Sequence, residues 1–297
     1  MQFVFQDDCS GFACVGEIRN GKVSNHDRFR QVLRGVRGII LSMKKKIQAA
    51  RPQQKIKMNK DNEKSAVQLE IRVGYASCAA TEISGDAVIS CRLPEGRRAL
   101  ILSDGMGKGI KAAAGSRLVV SRLRKNLKEG MKVADAIKEV NRYMLIHGGA
   151  KGEDFATVDL TIIDPVIKKA RFYKMGAATS FIVRNGRVRR IAKEALPVGI
   201  IPSLRLSHIS AGLRPGDIIL MVSDGITEAD RSDLNAGWLE IYLMDFSRNL
   251  TCADAAAMSA RHLAADILNR AVNIYGTRER DDLTVAAVII ADNGAHI

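Results

Sequence analysis

The sequence predicts an α+β fold in which two antiparallel sheets lie between outer helices. Three observations support this prediction. Strand-like segments follow one another from about residue 66 onward, they are grouped around two pairs of helical segments, and short turn signals separate several neighbouring strands. The chain has 297 residues, of which 46% are hydrophobic. A chain of this size can bury a full core without disulfides or a structural metal.

The first 65 residues are predicted to form an N-terminal appendage. Asn20-Gly21 is typical of a hairpin turn, and an apolar stripe from Phe29 to Ile47 at three- and four-residue steps predicts a helix. The polar stretch 50–65 has no periodicity and is predicted to be a linker. Residues 1–60 carry 13 Lys and Arg against 4 Asp and Glu, whereas the other 237 residues carry 33 against 28. The net charge of +14 is therefore concentrated in this basic appendage.

The partners of the basic helix stay open among a partner helix, the following domain and an anionic membrane surface. Packing within the protein or a homodimer is favoured, because the apolar face lacks the Trp of typical interfacial helices. Nucleic-acid binding is not favoured, because aromatic residues make up only 5% and no recognition motif accompanies the charge.

The N-terminus lacks the pattern of a secretory signal, and no apolar run approaches the ~18–20 residues of a membrane span. The five cysteines contain no CxxC pair, which predicts free thiols in a reducing compartment. We therefore expect a soluble, cytoplasmic protein without a transmembrane segment.

The second unit, 66–297, is predicted to hold all of the regular layers. Alternating apolar residues from Val67 to Val73 predict a half-buried strand. A hairpin across Pro94-Glu95-Gly96 joins the next two strands, and Asn185-Gly186 marks a second hairpin. The predicted strands are 86–93, 97–103, 155–163, 167–174, 180–184, 187–191, 204–210, 217–223 and 283–290. The predicted helices are 109–128, 132–146, 234–247 and 253–274.

Aspartates occur where several of these strands begin or end. Asp104 and Asp224 each follow four apolar residues and a Ser, and each precedes a Gly. Asp281 and Asp282 come directly before the last strand, and Asp86 opens the strand predicted to pair with the one that ends at Asp104. A single Asp-Gly is usually only a turn signal, but two near-copies beside two further acidic motifs indicate a site. Oxygen ligands without His or Cys favour Mg²⁺ or Mn²⁺ over zinc.

The order of these motifs resembles that of the metal-dependent protein phosphatases of the 2C type, the PPM superfamily. The similarity is greatest to the bacterial branch that contains the stage II sporulation protein E phosphatase domain, and it covers roughly residues 66–292. The motifs that carry it are Gly85-Asp86, Ser103-Asp104-Gly105, Ser223-Asp224-Gly225 and Asp281-Asp282-Leu283-Thr284. Further support comes from the segments 104–109, 155–157, 174–181 and 213–217.

The resemblance implies an α-β-β-α sandwich with two Mn²⁺ or Mg²⁺ ions at one edge. Asp104 would bridge both ions, and Asp224 and Asp281 would complete the ligands of one. Asp86 and the Gly105 carbonyl would complete those of the other. Asp282 takes a place where many relatives have Asn, so it is a less expected ligand.

The resemblance also implies that a metal-activated water attacks phosphorus, with Asp104, Asp224 and Asp281 as the catalytic residues. No Ser-His or Cys-His nucleophile is then required. Met106 stands where animal members have a His thought to be the general acid. No Arg near Ser84–Asp86 matches their phosphate-gripping Arg, so we expect a low intrinsic rate. Lys108 is a candidate phosphate or partner contact, or a solvated lysine at a helix start.

The predicted function is that of a serine/threonine phosphoprotein phosphatase acting on an anti-anti-sigma-like regulatory protein. The alternative is a catalytically weak or inactive regulator with the same fold, against which the four retained aspartates argue. In this branch the helices corresponding to 109–146 are thought to move and assemble the metal site. We expect the N-terminal region to pack on them or to dimerise, so that deleting residues 1–60 changes activity or metal affinity.

Overall fold

A computed structural model of the chain describes residues 69–147, 155–230, 237–248, 254 and 257–292. The predicted appendage, with its hairpin, basic helix and linker, lies outside the described residues, and the boundary at residue 65 stays a prediction. The strands are β1 (Leu69–Cys78), β2 (Asp86–Arg92), β3 (Arg98–Asp104), β4 (Val158–Asp164), β5 (Lys169–Met175), β6 (Ser180–Arg184), β7 (Arg187–Ile191), β8 (Ile209–Gly212), β9 (Ile218–Val222) and β10 (Leu283–Asp292). The helices are α1 (Gly109–Lys128), α2 (Val133–His147), α3 (Asp224–Thr227), α4 (Trp238–Arg248) and α5 (Ala260–Tyr275).

The strands form two five-stranded sheets in which every neighbouring pair is antiparallel. Sheet I has the order β1-β10-β9-β6-β7, and sheet II has the order β2-β3-β4-β5-β8. The Asn185-Gly186 turn joins β6 to β7 with both residues at positive φ, 47° and 74°, as the hairpin signal requires. The predicted pair of antiparallel sheets is confirmed.

Three apolar clusters stack the layers as α-β-β-α. Alternation along β3 shows why: Ala99 and Ile101 face the cluster formed with α1 and α2, while Leu100 and Leu102 face sheet I. On the far side of sheet I, strand residues such as Leu220 pack against α4 and α5. Each sheet therefore buries both faces, and the predicted fold class is confirmed.

Two predicted strands begin at least three residues later than the sequence pattern indicates. The strand expected at 155–163 begins at Val158, because Ala156 instead forms isolated bridges to Gly105 and Val198. The strand expected at 204–210 is reduced to Ile209–Gly212, because only these residues pair with β5. Across the described part of the chain, no helix combines the length and the apolarity that crossing a membrane requires.

Candidate active site

Strand pairing brings Asp86 and Asp104 together on sheet II. Asp86 is the first residue of β2 and Asp104 the last of β3, and their Cα atoms are register partners. Asp104 lies on the same face of β3 as Leu100 and Leu102, which face sheet I. Its side chain therefore points into the space between the two sheets. The two carboxylates therefore lie side by side at one end of this gap.

Asp224 and Asp281 reach the same edge from sheet I. Asp224 follows β9 as the first residue of α3, and Asp281 lies two residues before β10. These two strands are neighbours, and the Ser223 N–H donates to the Thr284 carbonyl at 3.0 Å. All four predicted acids thus converge on one edge, with two contributed by each sheet.

The electrostatics of this edge are dominated by burial and repulsion. Burial, followed by the negative charges of Asp86, Asp224, Asp281 and Asp282 in that order, raises the pKa of Asp104 to about 8. Burial also raises the pKa of Asp224, opposed by its bond from the Gly225 N–H. The site is therefore a concentration of negative charge.

Asp86 is the most isolated of these carboxylates. It is 8% exposed, and neither of its oxygens has a hydrogen-bond partner among the described residues. Burial raises its pKa to about 6, and the charges of Asp282 and Asp224 contribute. The hydroxyls of Thr284 and Ser223 oppose this rise without reaching hydrogen-bond geometry. Two buried and unpartnered oxygens are unusual in a folded protein, and they make Asp86 a candidate cation ligand.

Asp282 differs from its neighbours because both of its oxygens are in use. Oδ1 accepts the Ala80 N–H at 2.7 Å, and Oδ2 accepts the Gly85 N–H at 2.6 Å. The side chain is 4% exposed and anchors the loop that leads into Asp86. The structure therefore gives Asp282 a positioning role. The sequence could not show this, since the bonded residues lie about 200 positions away.

Three hydrogen bonds hold the end of β3 and the loop that follows it. Thr157 Oγ1 accepts the Asp104 N–H, and the Thr157 N–H donates to the Asp104 carbonyl, both at 2.8 Å. The Gly105 N–H donates to the Gly85 carbonyl at 3.2 Å, and a Cβ at Gly105 would overlap the backbone carbonyl of Ala112 in α1. Gly105 is thus required for α1 to approach the site.

Lys108 lies at the N-cap of α1 and pairs with Glu279. The Nζ–Oε1 distance is 2.8 Å, and both side chains are well exposed. The pair joins the loop after β3 to the loop before β10. Both residues line a cavity of about 460 Å³ that also includes Asp281.

A buried polar cluster was missed by the sequence reasoning. Lys174 Nζ donates to Asp159 Oδ2 at 2.6 Å and to Ser180 Oγ at 2.8 Å, and all three side chains are fully buried. Asp159 is the register partner of Leu102, two residues before Asp104. The signal for this cluster in the sequence was a lysine in the otherwise apolar end of β5. This lysine lies in the segment 174–181, which supported the resemblance to the phosphatase family.

The residue types fit divalent cations, although the side chains do not form a finished ligand set. Among the described residues, no group of three or more His, Cys, Asp or Glu is arranged to hold a metal ion. One oxygen of Asp224 and one of Asp281 accept the N–H of the following residue at 2.8 Å. The unpartnered oxygens of Asp86 and the raised pKa of Asp104 are nevertheless what hard oxygen ligands show without their cation. Binding would require some carboxylates to turn.

Comparison with known proteins agrees with this architecture. The family model for stage II sporulation protein E (SpoIIE) matches residues 94–290. The chain is 29% identical over 212 residues to stage II sporulation protein E of Bacillus subtilis, covering 71% of this chain and 24% of that protein. It is 28% identical to the Priestia megaterium protein, covering 74% and 36%. The chain thus spans well under half the length of these relatives.

Solved structures give the same result. The PP2C phosphatase domain of B. subtilis SpoIIE with a fragment of its regulatory domain aligns with a TM-score of 0.66 at 28% identity, covering 76% of this chain and 65% of that one. The RsbU and RsbW domains of a Mycobacterium tuberculosis protein align at 0.59 and 23% identity, over 76% and 61%, which shows a shared fold. The chain belongs to the stage II sporulation protein E family and contains a phosphatase domain of the PP2C type.

Proposed function

We propose that this chain is a Mn²⁺- or Mg²⁺-dependent phosphatase that hydrolyses phosphoserine or phosphothreonine in a regulatory protein. The observation that carries the proposal is the meeting of four carboxylates from two sheets, with both oxygens of buried Asp86 unpartnered among the described residues. Like charges in a buried site destabilise the fold unless a cation compensates them. Membership of a phosphatase family supports the same conclusion.

The proposed ligands follow from position and charge. Asp104 is affected by the charges of all of the other acids, which suits a residue shared by two ions. Asp224 and Asp281, on sheet I, would complete the ligands of one ion, and Asp86 with the Gly105 carbonyl those of the other. When bound, such ions supply a water nucleophile at neutral pH and neutralise charge on the phosphoryl oxygens.

The other residues of the site position these ligands. Thr157 holds the backbone of Asp104, and Asp282 anchors the loop before Asp86. Met106 follows the Asp-Gly, is 52% exposed, and donates its N–H to the Phe155 carbonyl at 3.0 Å. Its side chain cannot give a proton to a leaving group, which is the physical reason to expect slow turnover.

The substrate class belongs to the proposal as well. Membership of the SpoIIE family supports a phosphorylated anti-anti-sigma-like protein as substrate, and a cytoplasmic location is part of the same proposal. A homodimer formed through the N-terminal helix or through α1 and α2 is also part of the proposal. The chain covers only 24% and 36% of its curated relatives, so partners of the whole protein are included here as proposals.

The test is metal-stimulated hydrolysis of p-nitrophenyl phosphate and of a phosphoserine peptide, with Mn²⁺ or with EDTA. We expect Asp104→Asn and Asp224→Asn to lower turnover more than about 100-fold, because each removes a cation ligand. Asp292→Asn is the matched control, because this exposed aspartate ends β10 at the opposite end from Asp281. It should retain turnover within about twofold. Unchanged turnover in the two site variants would refute the proposal.

A second candidate, a non-catalytic regulator, is favoured by two observations. The described side chains do not form a ready ligand set, and Met106 provides no acid. This candidate predicts that the unmodified chain binds a phosphoprotein but shows no turnover with either metal. The same assay therefore separates the two functions.

A further inference from the structure

A cavity of about 460 Å³ opens beside the acidic edge and is lined by three cations. Lys108, Arg278 and Arg280 line it together with Glu228, Glu279 and Asp281. Asp281 also belongs to the carboxylate site, so the cavity and the site share a wall. A substrate that reached the carboxylates along this wall would meet the cations.

Arg280 is half-buried and keeps most of its hydrogen-bonding capacity. Its Nη2 contacts Cys78 Sγ at 3.3 Å and the Ala79 carbonyl at 3.5 Å, and it has no ion-pair partner among the described residues. A guanidinium has five N–H donors in a planar fork. These two long contacts orient the fork and leave donors for an anion.

Arg278 is not equivalent, because three hydrogen bonds, two of them at 2.8 Å, hold its guanidinium. Its Nη2 donates to the carbonyls of Ala229 and Ile274, both at 2.8 Å, and its Nε donates to that of Tyr275 at 3.3 Å. It therefore closes the C-terminal end of α5. Of the two arginines, Arg280 is the better suited to bind a ligand, because its contacts are fewer and longer.

Lys108 is paired with a replaceable anion. The Lys108 side chain is 45% exposed and that of Glu279 is 88% exposed. Exposed ion pairs of this kind contribute little net stability. A phosphate dianion offers more charge and more oxygens than one carboxylate, so it can displace Glu279 from the lysine.

We propose that Arg280 and Lys108 bind the phosphoryl oxygens of the substrate, and that Glu279 occupies Lys108 until the substrate arrives. The proposal rests on the proposed phosphatase function, and it supplies the phosphate-binding arginine that is missing near Asp86. This arginine comes from the loop before β10. Arginine suits the role because its fork matches two phosphoryl oxygens at once.

The test measures binding apart from catalysis. The melting temperature of the full chain is followed against inorganic phosphate in Mg²⁺ buffer, which gives an apparent phosphate affinity. Arg280→Gln should weaken this affinity roughly tenfold, and Arg280→Lys should restore part of it. Glu279→Gln should tighten it about two- to threefold, because Lys108 is released. Arg205→Gln, which removes an exposed arginine before β8, is the charge-matched control and should shift it less than twofold.

The outcomes separate this inference from the proposed function. Equal phosphate affinity in wild type and Arg280→Gln, or no phosphate binding by wild type, overturns the inference even if Mn²⁺-stimulated hydrolysis is present. Arg280-dependent phosphate binding without any hydrolysis supports the inference and refutes the phosphatase proposal. Where hydrolysis occurs, Arg280→Gln should raise KM for p-nitrophenyl phosphate about tenfold with less than a threefold change in kcat.

Discussion

Asp104 and Asp86 lie opposite each other on neighbouring strands, and burial raises their pKa to about 8 and about 6. An unfolded aspartate loses its proton near pH 3.9. Between these values the unfolded chain is already ionised while the folded site still holds protons. The free energy of unfolding is therefore higher at low pH, where these carboxyls are protonated in the folded protein. It falls as pH rises towards 8.

Asp104→Asn should therefore stabilise the protein in EDTA while abolishing turnover. At pH 9 we expect its melting temperature to exceed that of wild type by about 2–4 °C or more, which corresponds to about 1 kcal/mol in a domain of this size. At pH 5 the difference should shrink, because wild-type Asp104 is then protonated in the fold. Thermal unfolding at both pH values checks this. A difference independent of pH would contradict the charge argument.

Asp281 and Asp282 are adjacent but should respond differently to the same substitution. Asp282→Asn replaces an acceptor of a backbone N–H with an amide group, so we expect a loss of about 1–3 kcal/mol in the free energy of unfolding. Asp281→Asn should change that free energy by less than about 0.5 kcal/mol and remove Mn²⁺ stimulation. Urea unfolding in EDTA and a metal titration separate the two effects. Equal destabilisation by both substitutions would count against the positioning role of Asp282.

The sequence could predict the acids because strand ends and Asp-Gly turns are local patterns. It could not predict how Asp282 and Arg280 act, because their partners at residues 78–85 lie about 200 positions away in the chain. Lys174 was visible as a polar residue in an apolar strand, but its partner Asp159 depends on the pairing of β4 with β5. Residue types were thus predictable, and the contacts that define their roles were not.

At the scale of elements, α1 and the Asp104 loop form one unit. The loop passes directly beneath the first turns of the helix, where Gly105 faces the Ala112 carbonyl. A displacement of α1 must move Gly105, and Gly105 is covalently joined to Asp104. The position of this helix is therefore coupled to the position of the acid proposed to be shared by both cations.

Gly105, which makes this contact, and Gly115, which does not, provide a matched pair of variants. Gly105→Ala should push α1 away from the loop, and we expect metal-stimulated turnover to fall at least about tenfold. Gly115→Ala lies within α1 with open space around it, so it should stabilise the protein by about 0.5–1 kcal/mol. Turnover and urea unfolding of both variants check this. Full activity in Gly105→Ala would show that the loop tolerates a shift of the helix.

The helix expected at 253–274 begins only at Ala260, with Ser259 as its N-cap, and the one expected at 234–247 spans Trp238–Arg248. The helices α1 and α2 and the hairpin of β6 and β7 follow the sequence pattern closely, since β6 and β7 begin and end where they were predicted. The shorter strands do not. Leu204 and Leu206 alternate as in a strand, yet they pack on the cluster beneath α1 and α2 without pairing with a neighbouring strand. Alternating apolar residues show which side chains are buried. To form a strand, the segment also needs a free sheet edge that is long enough to pair with it.

Over the whole phosphatase domain, the Lys174 cluster connects the two sheets near the end of the strands that carries the acids. Lys174 and Asp159 belong to sheet II and Ser180 to sheet I. Apolar side chains surround this ion pair in the layer between the sheets. Removing one member leaves the other charge buried without compensation.

Lys174→Met should accordingly lower the free energy of unfolding by about 3–5 kcal/mol. Adding Asp159→Leu should recover most of that loss, because the pair is then replaced by apolar groups of similar size. Denaturant unfolding of the single and double variants gives the coupling between the two sites. A single variant that loses less than about 1 kcal/mol would show that the ion pair contributes little.

Two of the four converging acids belong to each sheet, and this division has a mechanical consequence. Ions bound by all four acids would link the two sheets at this edge, in addition to the apolar contacts between the sheets. Removing the ions with a chelator should then loosen this edge before the rest of the two sheets. Amide exchange should rise first at the ends of β3 and β9. The concentration of free metal ions would therefore determine how strongly the two sheets are held together.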